Sequence, residues 1–403
     1  MIRYLTAGES HGKSLTAIVD GFPSNFKIDK KYIDFHLKRR QAGYGRGGRM
    51  KIESDEVDIL SGIHFGKTLG SPISLLIKNL DWENWTDKMS VEKSKVKIDK
   101  ITIPRPGHAD LVGTSKYNFD DIRNSIERSS ARETAIRVAA CSIARKFLEE
   151  FGILVGSYVE SIGGVYSSSE ITNDLFKNKL KKNFNAWVLS EKADKSQVRV
   201  LTKNDEEKII KKIKSAKKKG DTLGGTFIVV ASGLPVGLGS FMQHDKKLDA
   251  EIAQSVMSIQ AVKGVEIGYG FNSADTFGSN VHDEIIIKNK KLTRKTNKAG
   301  GIEGGISTGL PIIIRGAMKP ISTLMTPIKS VDLKTLKSVD ARRERSDFVA
   351  VPACSVIAES VLAWSLAKFF LLKFGGDSIE ETKSNYINYT KNLNSRITRN
   401  FKK

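Results

Sequence analysis

A long apolar segment near the C-terminus constrains the fold more than any other stretch of this chain: VPACSVIAESVLAWSLAKFFLL, at 351–372. Its length and composition would be enough to span a bilayer. Glu359 and Lys368 interrupt it, however, and either charge would be costly in the middle of a membrane. Gly375 and Gly376 follow, and glycine commonly ends a helix. We therefore expect a central helix, buried inside a protein that has no membrane partner.

Short β-like runs alternate with a few strong helices along the rest of the 403 residues. Alternating apolar residues and turn signals predict strands at 2–6, 15–20, 49–60, 71–78, 225–232, 264–270, 283–288 and 310–317. Helical spacing predicts helices at 29–39, 131–151, 205–218, 247–261 and 350–373. Ser130 and Glu133 form the sequence of a capping box at the start of the second helix.

The predicted strands are not spaced as regular βαβ units, which argues against a doubly wound sheet. No long linker and no convincing repeat divides the sequence. We therefore expect one α+β domain over 1–403, with a mobile basic tail at about 375–403.

The net charge of +21 is the strongest compositional feature. It would suit nucleic acid, an anionic membrane or small anionic ligands as partners. Much of the excess is lysine on solvated helix faces, as in KKIKSAKKKG at 211–220, where the apolar residues keep helical spacing. The arginines instead fall in short clusters beside glycines. A non-enzymatic nucleic-acid-binding protein therefore stays open as an alternative.

The two cysteines give no support to a disulfide framework or a metal site. Cys141 and Cys354 stand far apart, and the sequence contains no CxxC or HxxxH pair. The N-terminal stretch MIRYLTAGESHG lacks the apolar centre of a signal peptide. We expect a cytoplasmic protein without a bound metal.

The stretch AGESHGKS, at 7–14, comes one glycine short of a triphosphate-binding loop. Such a loop needs Gly, four residues, then Gly-Lys-Ser/Thr, and it opens a helix. Ala7 occupies the first glycine position, and LTAIVDGFP then reads as a strand ending in a turn. A P-loop NTPase is therefore a weak alternative, and His11 becomes the residue of interest.

Two further segments combine arginine, glycine and histidine. KRRQAGYGRGGRM, at 38–50, carries Arg39, Arg40, Arg46 and Arg49 among glycines, which suggests a mobile loop that binds small anions bidentately. The second segment, 105–135, brings His108 and several arginines just before a predicted helix. Both His11 and His108 lie in loops beside a glycine and a carboxylate, as acid–base groups acting on an anionic substrate would.

The glycine-rich run AGGIEGGISTGLP, at 299–311, precedes KPIST at 319–323 and RRERSDFVAVPA at 342–353. Glycine permits a close approach of the backbone to a flat or phosphorylated ligand. A corner of a sheet explains the glycines about equally well.

In combination, these segments identify the chain as similar to the chorismate synthase family over nearly its whole length. The stretches that carry the resemblance are GESHG (8–12), RRQAGYGRGGRM (39–50), RPGHAD (105–110), RSSARETAIRVAA (128–140), QAVKGVEIG (260–268), GGIEGGISTG (300–309), KPIST (319–323) and RSDFVAVP (345–352). Several separate motifs in the right order are far more specific than one glycine pattern.

The resemblance implies a 1,4-anti elimination of phosphate from 5-enolpyruvylshikimate 3-phosphate, giving chorismate, with reduced FMN as cofactor and NADPH as reductant where the enzyme reduces its own flavin. It also implies a β-α-β sandwich, with antiparallel sheets around a helical core, and a homotetramer.

The resemblance assigns roles to residues of this chain. His11 would protonate or stabilise the departing phosphate, His108 would serve the N1/C2-carbonyl side of the flavin, and Asp347 would take part in proton transfer near flavin N5. The residues implied to bind substrate or NADPH are Arg40, Arg46, Arg49 and Arg132. The residues implied to contact FMN are Arg128, Ser129, Ser130, Gln260, Ala261, Gly304, Lys319, Pro320, Ile321, Ser322, Thr323 and Arg345.

Overall fold

Helices lie between antiparallel sheets in the computed structural model, which describes residues 1–47, 53–168, 170–180, 184–288, 291–343 and 347–401. The helices are α1 (Lys30–Gln41), α2 (Asp110–Tyr117), α3 (Arg123–Ser129), α4 (Thr134–Glu149), α5 (Glu170–Phe176), α6 (Trp187–Ala193), α7 (Lys203–Lys218), α8 (Leu248–Met257), α9 (Gly278–Val281), α10 (Val351–Phe374) and α11 (Ile379–Phe401). The strands are β1 (Arg3–Ala7), β2 (Ser14–Asp20), β3 (Val57–Ile59), β4 (Ile63–His64), β5 (Lys67–Thr68), β6 (Ile73–Lys78), β7 (Leu154–Ile162), β8 (Val165–Tyr166), β9 (Gly225–Ser232), β10 (Val236–Gly239), β11 (Val262–Ile267), β12 (Ile285–Lys288), β13 (Lys291–Arg294), β14 (Ile302–Glu303), β15 (Ile306–Thr308), β16 (Ile312–Met318), β17 (Lys329–Asp332) and β18 (Lys337–Asp340).

Two larger sheets enclose the helical layer. One has the strand order β1-β2-β6-β3, and the other has the order β11-β16-β9-β7-β8. Neighbouring strands in both sheets pair antiparallel, for example Leu5 with Ile18 and Ser157 with Val229. Helix α4 packs on β2 and β6 of the first sheet, while α10 packs on α4 and on β7 and β9 of the second. The predicted β-α-β sandwich is therefore confirmed.

Helix α10 is the buried centre of this sandwich, as its sequence predicts. Pro352 lies in its first turn, where the missing N–H costs nothing. Gly375 ends it with a positive φ of 57° and donates its N–H to the Leu371 carbonyl. The helix is long and apolar enough to cross a membrane, but 89% of its apolar window is buried inside the protein. Its apolar surface is therefore covered by β7 and β9 of the second sheet and by the neighbouring helices α1, α4 and α8.

One charged side chain sits at the centre of α10. The Glu359 carboxylate is fully buried and accepts hydrogen bonds from Arg39 at 2.8 and 3.0 Å, from Arg145 at 2.7 Å and from Arg199 at 3.1 Å. Ser157 and Ser190 each donate to it at 2.6 Å. The interpretation of Arg39 as part of a mobile anion-binding loop is therefore wrong, because its guanidinium is committed to the core.

Three local predictions need correction or comment. Within the described part of 49–60, only Val57–Ile59 is a strand, because Glu53 and Asp55 turn inward to pair with arginines. The capping box is half right: Ser130 accepts from the Arg132 N–H and starts a 3-10 turn over Ala131–Glu133, but the Glu133 carboxylate contacts Thr6 and Arg137 instead. The expected tail contains helix α11, and its mobility stays a prediction.

Candidate active site

A cavity of about 490 Å³ lies beside the N-terminal half of α10. Its walls come from the β1–β2 loop, the end of α3, the loop before α2, the chain that follows α8, the chain that follows β16, and the first turns of α10. These segments are far apart in sequence, and the antiparallel topology brings their ends together. The volume lies within the usual range for a small-molecule site.

His11 is fixed at the cavity wall by a buried carboxylate. Its ring Nδ1 lies 2.8 Å from Glu127 Oε1, and its backbone N–H donates to Glu127 Oε2 at 2.7 Å. The ring also stacks on Trp85, with 3.8 Å between centroids and 18° between planes. Position and orientation of the imidazole are therefore both restrained.

His108 has a similar arrangement on the opposite loop. Its Nδ1 lies 2.5 Å from Asp110 Oδ1, and Asp110 also accepts from the Arg105 backbone N–H and side chain at 2.8 to 3.0 Å. Burial opposes ionisation of Asp110, but the hydrogen bonds from His108 and Arg105 and the charge of Arg105 outweigh it. The pKa of the Asp110 carboxyl is consequently held far below its usual range, so the group is an anion at neutral pH.

Arg40 and Arg132 form a buried pair at the bottom of the site. Arg40 donates to Thr134 at 2.9 Å and to Asp55 at 3.3 Å, while Arg132 donates to Asn79 at 2.9 Å, to Asp55, and to Glu53 at 3.4 Å. Burial, which is only partly offset by Asp55, lowers the pKa of Arg40 to about 10. The Arg40 guanidinium therefore remains cationic at neutral pH.

Arg46 and Asp347 meet across the mouth of the cavity. The Arg46 guanidinium lies 3.2 Å from Asp347 Oδ2, and the Gly47 N–H donates to Asp347 Oδ1 at 2.5 Å. This part of the arginine–glycine loop is therefore tied to the segment that leads into α10.

The segment 319–323 forms another wall and closes against the loop that carries His108. The Lys319 ammonium and the Ser322 hydroxyl both donate to the Gly107 carbonyl, and Arg105 donates to Thr323 Oγ1 at 3.2 Å. Ala261 adopts a left-handed φ of 67° and accepts from the Lys319 N–H at 2.9 Å. Burial, together with the charge of Lys263, lowers the pKa of Lys319.

The comparisons with known proteins agree with this geometry. A family model described as chorismate synthase matches residues 2–371. The chain is similar to a chorismate synthase of Chloroherpeton thalassium, with 55% identity over 97% of this chain and 99% of that protein. A chorismate synthase of Aquifex aeolicus is 51% identical over 98% of each chain. The crystal structure of a chorismate synthase superposes with a TM-score of 0.78 at 42% identity, covering 98% of both chains.

The chain belongs to the chorismate synthase family.

Membership makes the protein a carbon–oxygen lyase that acts on a small molecule, in the shikimate pathway to aromatic amino acids. The two alternatives find no support. Ser14 opens strand β2 and not a helix, so the stretch at 7–14 lacks the geometry of a triphosphate-binding loop. Arg40, Arg46, Arg105 and Arg132 line this cavity, so their positive charge faces a small-molecule site.

Most of the residues that the family resemblance assigns to the site line this one cavity together. These are His11, Arg40, Arg46, His108, Ser129, Ser130, Arg132, Gln260, Ala261, Lys319, Pro320, Ile321, Ser322, Thr323 and Asp347.

Of the four other assigned residues, two do not line the cavity and two lie outside the residues that the structure describes. Arg128 donates to the Thr6 and Gly8 carbonyls and does not line the cavity. Gly304 forms the exposed turn between β14 and β15, away from it. Arg49 and Arg345 lie outside the described residues.

Other cavity residues went unassigned in the sequence. Arg105, Glu53, Met318 and Cys354 line the cavity, and Glu127 lies behind His11. Arg105 belongs to the quoted RPGHAD stretch, so its neighbour His108 was a usable signal. Glu127 and Met318 directly precede the quoted stretches RSSARETAIRVAA and KPIST, so the same kind of signal was available for them. Glu53 and Cys354 do not adjoin a quoted stretch, and their places in the cavity depend on contacts over long sequence separations.

Proposed function

We propose that this cavity catalyses the 1,4-anti elimination of phosphate from 5-enolpyruvylshikimate 3-phosphate, with reduced FMN bound beside the substrate. The observation that carries the proposal is the convergence of two carboxylate-anchored histidines and several cationic side chains on one cavity. In the reaction the C3–O bond breaks and phosphate leaves with its electron pair, while C6 loses a proton. The C6–H electron pair and the ring double bond shift to form the diene, so the overall change is redox-neutral.

The charges of the cavity suit this substrate. It carries one phosphate and two carboxylates, and arginine binds such groups bidentately. Arg40, Arg46 and Arg132 hold these anionic groups, and Arg105 adds positive charge beside them. Negative charge develops on the phosphate as it leaves, so fixed cations around it stabilise the transition state more than the ground state. His11 gives or shares a proton at a phosphate oxygen.

The walls of the cavity also suit a flavin. Ile126, Ile259, Met318 and Ile357 offer an apolar surface for a flat ring, while hydroxyl, amide and ammonium groups stand at its edges. The residues that would hold the flavin are Ser129, Ser130, Gln260, Ala261 and 319–323, with His108 at the N1/C2 side. When bound, reduced FMN would supply electron density that eases C–O cleavage. Asp347 would take part in proton transfer beside it.

The remaining features follow from the family. We propose that the protein works as a single-domain homotetramer in the cytoplasm and that NADPH, where it serves as reductant, meets the same arginines. Gly304 and Arg128 lie outside the cavity of the protomer. Their proposed FMN contacts would therefore have to form outside the lining of this cavity.

An anaerobic assay tests the proposal. The protein is mixed with the substrate and dithionite-reduced FMN, and both orthophosphate and the diene absorbance of the product are followed. Orthophosphate and the diene product should form in equal amounts. His11→Ala and His108→Ala should each lower turnover by about 10²–10⁴-fold. His64→Ala, in the exposed β4–β5 hairpin, is the matched control and should keep wild-type turnover. No phosphate release from the wild type, or wild-type rates from both cavity variants, would refute the proposal.

A further inference from the structure

Glu127 is a buried carboxylate behind His11, with 2% of its side chain exposed. Two N–H groups of His11 converge on it, the backbone N–H at 2.7 Å from Oε2 and the ring Nδ1 at 2.8 Å from Oε1. An ionised carboxylate can only accept hydrogen bonds, so Nδ1 carries the proton. Nε2 is therefore the ring nitrogen that can gain and lose a proton.

Further contacts hold this pair in place. The Ser10 N–H donates to the Glu127 carbonyl at 3.0 Å, and the Ser10 and Ser130 hydroxyls lie 3.1 Å apart. Trp85 also holds the imidazole, because its indole stacks on the His11 ring. The Trp85 ring centre lies 5.8 Å from the Arg123 guanidinium and 5.0 Å from the Lys88 ammonium. Glu127 is thus a carboxylate hydrogen-bonded directly to the ring, whereas Arg123 and Lys88 contact the indole on which the ring stacks.

We propose that Glu127 is the positioning residue of His11, holding its ring in the Nδ1–H tautomer so that Nε2 exchanges a proton with the phosphate. The inference rests on the proposed function, in which His11 acts on that phosphate. The imidazolium passes its Nε2 proton to a phosphate oxygen, the neutral ring keeps its Nδ1 proton, and solvent later restores the proton on Nε2. Carboxylates that bond the second nitrogen of a functional histidine fix its tautomer in other enzymes.

Glutamine cannot replace Glu127 in this arrangement, although it has nearly the same shape. The carboxylate accepts from two N–H groups of His11, whereas an amide offers one accepting oxygen and one donating NH₂. If the oxygen keeps the backbone N–H, the NH₂ faces Nδ1 and forces the opposite tautomer. If the oxygen keeps Nδ1–H, the NH₂ faces the backbone N–H and that bond is lost. Glu127→Gln therefore changes the charge and the hydrogen-bond pattern of the side chain while its size stays nearly the same.

The test compares Glu127→Gln with Glu127→Asp, which keeps the charge but shortens the reach. The control is Glu150→Gln, which changes a half-buried carboxylate that pairs with Lys383 and does not line the cavity. Glu127→Gln should lower kcat by about 100-fold or more with little change in KM, and Glu127→Asp should recover part of that loss. In Glu127→Gln the alkaline limb of the pH–rate profile should move to lower pH by about one unit, because an anion no longer stabilises the protonated His11 ring.

A second readout does not depend on turnover. Diethyl pyrocarbonate acylates unprotonated imidazole, and mass spectrometry of the peptides measures this at His11 and, within the same sample, at exposed His64. In Glu127→Gln the pH midpoint for His11 should fall by about one unit relative to wild type, with His64 unchanged. Unchanged profiles in turnover and acylation would overturn the inference, even if the variant melts at a lower temperature. Absence of wild-type turnover would instead refute the proposed function, and the acylation midpoint would still decide the role of Glu127.

Discussion

Replacing Glu359 by glutamine should destabilise the protein strongly while leaving its shape nearly unchanged. The carboxylate at the centre of α10 faces three guanidinium groups, from Arg39, Arg145 and Arg199. Burial by itself would raise the pKa of Glu359, but the three arginines hold it well below its usual range. Glutamine can keep hydrogen bonds to the two serines, so the substitution removes mainly the charge.

The expected magnitude follows from what remains. After the substitution, Asp194 would be the remaining carboxylate among the described partners of Arg39, Arg145 and Arg199. It lies 2.6 Å from Arg39 and also pairs with Arg199. Removing one partner from a buried charge cluster costs about 3–5 kcal/mol. An unfolding entropy of about 2.1 cal/mol/K per residue gives roughly 0.85 kcal/mol/K for this chain, so Tm should fall by about 4–6 °C.

The pH dependence has a definite sign. Because the folded pKa is depressed, this stabilisation is fully present above the unfolded value of about 4.3 and is lost as pH falls through the folded value. The difference between wild type and Glu359→Gln should therefore be constant from about pH 6 to 8 and shrink only below about pH 4.

Urea unfolding followed by circular dichroism, at equal protein concentration for every variant, measures the effect. Glu303→Gln is the matched control, because it removes a carboxylate from a surface pair with Arg294 and should cost less than about 1 kcal/mol. A loss below about 1 kcal/mol for Glu359→Gln, or a loss equal to that of the control, would show that the reasoning about buried charge is wrong.

Three further outcomes are expected. Burial raises the pKa of both thiols, Cys141 and Cys354, to about 12. Iodoacetamide at pH 8, followed by mass spectrometry, should therefore alkylate neither thiol in the folded protein and both thiols in guanidinium. Rapid labelling of the folded protein would contradict this. Asp110→Asn should lower the free energy of unfolding at pH 7 by about 1–3 kcal/mol in a urea titration, because Arg105 and the His108 ring lose a charged, buried acceptor. The gap from wild type should narrow only below about pH 4, where the carboxyl of the unfolded chain begins to take up protons while the folded one stays ionised, and a gap that grows there would refute the assignment. Gly156→Ala should lower Tm by several degrees more than Gly152→Ala. A Cβ at 156 would lie 1.9 Å from the Ala186 carbonyl oxygen, whereas a Cβ at 152 meets nothing within 4 Å, so Gly152→Ala costs only the strain of alanine at a φ of 71°. Equal melting temperatures would show that strand β7 can move away from α6.

Local patterns were readable where one segment decides its own structure. The helix α10 was readable from the length of its apolar run and the glycines that end it, and the lysine-faced α7 follows the helical period. Strands β2 and β9 were found because of their β-branched residues. Strand β7 escaped prediction because it is buried on both faces and therefore shows no alternation, with Gly156 and serines breaking its apolar run.

The sequence by itself determined which residue types the site would use, since histidines and arginines beside glycines already indicate acid–base chemistry on a small anion. Only the tertiary structure decided how those residues are employed. Arg39 and Arg40 are adjacent in sequence, yet one pairs with Glu359 in the core and the other lines the cavity. His11 acquires its carboxylate from a position 116 residues away. The physical reason is that the state of a charged group depends on its burial and its nearest partners, and those are fixed by packing between distant segments.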